Sequence, residues 1–133
     1  MNYKGVVIKE SLKDPKILTS LTIVATAVEP VVEGDKTPWL DFWTLVSFEV
    51  SEDRADDLAR SISEGFDDKH AASWYADFKN DRRHYVVFPG KIFRVERDDP
   101  SGYAAAEAYG RGLGIPAHQL DFSAGAGTWP SLD

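Results

Sequence analysis

Alternating apolar and polar side chains dominate the chain between residues 74 and 97. Trp74, Ala76 and Phe78 fall on one side of an extended segment, with Tyr75, Asp77 and Lys79 on the other. Residues 80–83, Asn-Asp-Arg-Arg, make a polar turn, because Asn and Asp bond their own backbone and tolerate left-handed conformations. Pairing Lys79 with His84 then sets Phe78 against Tyr85 and Ala76 against Val87. Pro89 and Gly90 suit the centre of a type II turn, so the pattern predicts a bulged or looser connection there. A third strand follows over 91–97, with Phe93 and Val95 on one face and Arg94 and Glu96 on the other. The pattern predicts a three-stranded meander.

Earlier in the chain, residues 4–10 read as a strand and Asp14-Pro15 as a cap opening a short helical turn. Residues 21–29 are β-branched and read as a buried strand that Pro30 ends. Residues 31–37 form a polar loop, and 39–50 form the longest strand. Its core face runs Leu40, Phe42, Thr44, Val46, Phe48 and Val50, and its mixed face includes Trp39, Asp41 and Trp43. Ser51 caps an amphipathic helix with Ala55, Leu58, Ala59 and Ile62 inward, and Gly65 stops it. Asp99-Pro100 opens a second helix with Tyr103, Ala106, Gly110 and Leu113 as its inner stripe. Residues 119–122 read as a short edge strand.

The order βββαβββα predicts one α+β domain over 1–122: a mostly antiparallel sheet of about five or six strands with two helices packed on one face. Residues 123–133, rich in Gly, Ala and Ser, read as a loosely ordered tail.

Composition narrows the function classes. A net charge of −7 argues against general nucleic-acid binding, which needs a cationic footprint. The absence of cysteine removes disulfides, thiolate metal sites and cysteine nucleophiles, and suits a reducing cytoplasm. No stretch is long and apolar enough to span a bilayer, so membrane insertion is not expected.

Recognisable catalytic motifs are missing. Gly110, Gly112 and Gly114 end a helix, whereas a phosphate cradle needs glycines ahead of a helix N-terminus. His70, His84 and His118 lack metal-ligand spacing, with or without Asp77 or Asp121, so neither a metal nor a cofactor is expected. No serine lies in a nucleophile elbow.

One sheet face stands out instead. Trp39, Asp41 and Trp43 share a side of their strand, and Tyr75, Asp77, Lys79 and His84 share a side of the hairpin, with Arg82 in its turn. If these sides coincide and stay open, aromatic walls with fixed polar groups would bind a small molecule or a peptide. If helices cover them, the same aromatics are core.

The blocks KGVVIKESL (4–12), TPWLDFWTL (37–45), WYADFKN (74–80), HYVVFPGKIFRV (84–95) and YGRGLGIPAHQLDF (109–122) resemble a family of small bacterial and archaeal proteins with no assigned chemistry. That resemblance implies a compact cytosolic domain and carries over no catalytic residue. Three readings stay open: a cytosolic binding domain using the aromatic face, a homodimer built on it, and a small hydrolase or nucleotide-processing enzyme. The enzyme would use Asp77 or His84 as acid-base and Lys79 or Arg82 as anion clamp.

Overall fold

The computed structural model describes residues 2–30, 40–67 and 74–115. Trp39, His70, His118, Asp121, the loop at 31–37, the expected strand at 119–122 and the tail lie outside the described residues. Six strands form one antiparallel sheet: β1 (Tyr3–Ile8), β2 (Thr22–Pro30), β3 (Phe42–Val50), β4 (Ala76–Lys79), β5 (Arg83–Phe88) and β6 (Lys91–Glu96). Their spatial order is β2-β3-β1-β4-β5-β6, which makes β2 and β6 the edges. Two helices complete the α+β fold, α1 (Ala55–Gly65) after β3 and α2 (Pro100–Gly112) after β6.

Local chemistry explains the elements. At α2, the Asp99 side chain accepts from the Ser101 N–H at 3.1 Å, with Pro100 opening the helix. Asp14 does the same for Lys16 at 3.0 Å, although the turn it opens, Pro15–Ser20, is a 3-10 helix. Ser51 starts a 3-10 turn, Glu52–Arg54, that runs directly into α1. Pro89 and Gly90 alone join Phe88 to its partner Lys91, with Gly90 at φ +72°. The connection is therefore tighter than the pattern predicts. The end of α1 supports it: Ser63 donates to the Phe88 carbonyl at 2.8 Å, and Gly90 N–H donates to the Ser63 carbonyl at 3.3 Å. β1 stops at Ile8, but the Glu10 carboxylate continues its ladder by accepting from Thr44 N–H at 2.6 Å and the Thr44 hydroxyl at 2.7 Å.

The register of β4 and β5 is the predicted one, with Lys79 against His84, Phe78 against Tyr85 and Ala76 against Val87. The helices, however, do not share a face. Tyr85 and His84 are strand neighbours and so point to opposite sides. The Tyr85 hydroxyl donates to Asp56 of α1 at 2.6 Å, while the His84 ring meets Tyr103 of α2 at 3.0 Å. Each helix thus packs on a different side of the β4–β5 pair. Leu58, Ala59 and Ile62 of α1 join the larger core with Tyr3, Phe48, Phe78 and Tyr85. Tyr103 and Ala106 of α2 join a second core with Tyr75, Val86, Phe88 and Val95.

A second correction concerns β2. The expected buried strand is an edge strand, exposed along almost all its length. Phe42, placed on the expected core face of β3, is 56% exposed beside it.

The contact between Tyr85 and Asp56 makes stability depend on pH at both ends. Burial, then the Asp56 carboxylate, pushes the Tyr85 phenol up to about 12 from an ordinary 10.0. The same bond, with Arg94 adding attraction, holds Asp56 below its ordinary 3.8. A raised phenol stabilises the fold below pH 10 and loses that contribution as pH climbs towards 12. A lowered carboxyl stabilises above its ordinary value and loses that contribution as pH falls. Urea midpoints of wild type and Tyr85→Phe should therefore converge between pH 10 and 12. Parallel curves across that window would remove Tyr85 as the source.

Candidate functional site

Asp77 and His84 lie diagonally across the β4–β5 pair on one sheet face, two rungs apart and within side-chain reach. Asp77 Oδ2 is 2.6 Å from His84 Nε2, and the Tyr103 hydroxyl is 3.0 Å from His84 Nδ1. Asp77 and His84 are each 1% exposed and Tyr103 is 7% exposed. With a neutral imidazole, Tyr103 donates to Nδ1 and Nε2–H donates to Asp77. Every ring nitrogen is then satisfied. Burial raises the Tyr103 phenol above its ordinary value, opposed by the neighbouring Arg97 guanidinium and reinforced by Asp77.

Arg97 ties this cluster to the hairpin turn. Its guanidinium donates to the Asn80 carbonyl at 2.6 Å, and its backbone N–H donates to the Arg82 carbonyl at 3.0 Å. The Asn80 side chain accepts from the N–H groups of Arg82 and Arg83 at 2.9 and 2.8 Å, which fixes the turn. Sequence reasoning missed Tyr103 as a polar partner and Arg97 altogether. A phenol in an otherwise small, apolar helix stripe was the available signal, since a buried Tyr hydroxyl usually finds a partner.

The remaining sequence candidates disperse. By register, Trp43 does share the face of Asp77, through Ser47 and Val6. It lies four residues along and two strands over from Asp77, roughly 16 Å by strand geometry. Trp43 is buried edge-on against Trp74, with ring centroids 6.2 Å apart. Tyr75 is core against Phe88, with centroids 5.8 Å apart. Lys79 is half-buried at its strand end, and Arg82 and Asp41 are exposed outside the cluster. Of the two alternatives for the aromatic face, open or covered, Trp43, Tyr75, Asp77 and His84 follow the second and are interior.

Two hollows of about 170 and 240 Å³ flank Arg54 at the start of α1, and neither is lined by any of these residues. Both are smaller than typical ligand pockets. Among the described residues, no three His, Asp or Glu side chains gather as a metal would require. No described helix is long and apolar enough to cross a membrane.

Among the described residues, the exposed large apolar side chains lie at the opposite end of the sheet. Ile23 is 49% exposed, Val24 and Val28 each 62%, and Phe42 56%. All belong to the β2–β3 ribbon, whose outer strand, an edge of the sheet, pairs with no strand but β3 among the described residues. A bulge around Val24 and the terminal Pro30 leave 25–29 as its regular stretch. No family model, no curated protein and no solved structure matches the chain.

Proposed function

We propose that the protein is a non-catalytic binding domain that takes up an extended protein segment as an added strand along β2. The observation that carries this reading is a nine-residue edge strand that exposes Ile23, Val24 and Val28 beside Phe42. Sheets usually blunt such edges with charge, cover or brevity, because unpaired N–H and C=O groups recruit other strands. Strand addition uses those groups for affinity and the alternating side chains for selectivity. The enzyme reading has less support, since Asp77 and His84 are sealed beneath α2 and bonded to each other. A cysteine-free chain suits the cytosol for this role.

The test is selection of displayed peptides on the immobilised full chain, followed by amide hydrogen exchange with the selected peptide bound. Binding should protect amides within 25–29, and Val28→Asp should weaken it by at least about tenfold, or 1.4 kcal/mol. Protection elsewhere, or undiminished binding to Val28→Asp, would move the site off β2.

A further inference from the structure

We infer that the segment taken up along β2 is a basic amphipathic strand, apolar at every second residue with Lys or Arg between. This rests on the strand-addition reading above and adds the chemistry of the occupant.

The two faces of the β2–β3 ribbon differ in charge. The register sets Ile23 beside Phe48, Thr26 beside Val46, Val28 beside Thr44 and Pro30 beside Phe42. None of these eight is itself charged, although the Glu10 carboxylate meets the Thr44 hydroxyl, and Ile23, Val28 and Phe42 are exposed there. On the other face, Thr22 lies beside Glu49, Ala25 beside Ser47, Ala27 beside Leu45 and Glu29 beside Trp43. This face carries a carboxylate near each end, and the exposed Asp41 closely precedes β3. Lys4 stands across from Glu49 and offsets that end, so the acidic character is greatest at Glu29.

An added strand continues both faces, because its side chains alternate as those of β2 do. Its residues on the first face meet Ile23 and Val28, so apolar side chains fit. Those on the other face meet small Ala25 and Ala27 and then Glu29, which leaves room for long side chains and favours cations at one end. Opposite charges on adjacent strands stabilise, whereas like charges directly opposite destabilise. A net charge of −7 adds long-range attraction for a basic segment. A second copy fits less well. Its β2 brings Glu29 and contains no Lys or Arg to meet the first.

The experiment measures fluorescence anisotropy of labelled peptides on the full-length protein, at low and high salt. Three peptides are compared: alternating valine and lysine, alternating valine and glutamate, and a scrambled valine–lysine sequence that breaks the alternation. The alternating valine–lysine peptide should bind about tenfold tighter than either other peptide at low salt, an advantage over the glutamate peptide that shrinks as salt rises. Glu29→Lys should erase most of that advantage while Val28→Asp weakens all binding.

Equal binding of the lysine and glutamate peptides, still lost in Val28→Asp, would overturn the basic occupant and leave strand addition standing. Indifference to both order and Val28→Asp would overturn both readings. Sedimentation of the free protein completes the test: concentration-dependent dimers abolished by Val28→Asp would make a second copy the occupant and overturn this inference.

Discussion

Asp77→Ala should lower stability by about 3 kcal/mol, read as a fall in the urea midpoint with little change in slope. The cost arises because His84 stays behind. Its Nε2–H, 2.6 Å from Asp77 Oδ2, would lose that acceptor in a site where it is 1% exposed. Removing one partner of a buried polar pair is expensive, while replacing both by apolar groups of similar volume is far less so. The double variant Asp77→Leu with His84→Leu should therefore be more stable than Asp77→Ala alone. Tyr103→Phe removes the Nδ1 contact and the hydroxyl's bond with Arg97, and should cost about 1 kcal/mol. For a chain of this length, the Asp77→Ala loss corresponds to roughly 10 °C in melting temperature. A loss below about 1 kcal/mol for Asp77→Ala would mean that the dyad contributes little net stability to the core.

This cluster also shows what the sequence can and cannot reveal. Alternation over 74–79 and 84–88 placed Asp77 and His84 on one face, and the Asn80 turn set the register. Whether that face was open depended on α2, and a helix stripe does not say which side of a sheet it will meet. α1 and α2 both present small and apolar inner positions, yet Tyr85 and His84 bind them on opposite faces.

The β-branched run in β2 had the same ambiguity. Ile23, Val24 and Val28 read alike in a buried strand and at an exposed edge, because propensity reports fit to a pleated surface and not the number of neighbours. Aromatic density around Trp43 and Trp74 drew attention to what is core, and the exposed surface lay in a stretch with a single charge, Glu29. The ambiguity of the aromatic face and the misreading of β2 have one source: local pattern fixes which residues share a face, and long-range pairing decides what covers it.

Gly5→Ala should prevent β1 and β4 from pairing and cost at least about 3 kcal/mol, at the upper end for an overpacked core site. β1 lies between β3 and β4, so both of its edges are engaged. Gly5 pairs with Phe48 on one side and Phe78 on the other. A methyl group at Gly5 would overlap the Asp77 carbonyl oxygen and Phe78 Cβ and stand 2.7 Å from Phe78 Cα. These are backbone or backbone-fixed atoms, so no rotamer change relieves the clash. Phe78 itself cannot retreat, because its ring stacks on Tyr85 at 4.8 Å and meets Tyr3 and Phe48 edge-on at 5.8 Å.

The strand would have to separate from β4, and the displacement would reach the Asp77–His84 pair through the peptide that joins Asp77 to Phe78. Circular dichroism and urea unfolding of Gly5→Ala give the readout, with Gly112→Ala as the control. An added Cβ at Gly112 meets nothing within 4 Å, in a helical position where Ala is favoured over Gly. The control should match or exceed wild type by up to about 1 kcal/mol. A Gly5→Ala midpoint equal to that of the control would show that β1 and β4 have slack to separate. The close approach would then not be what selects glycine at this position.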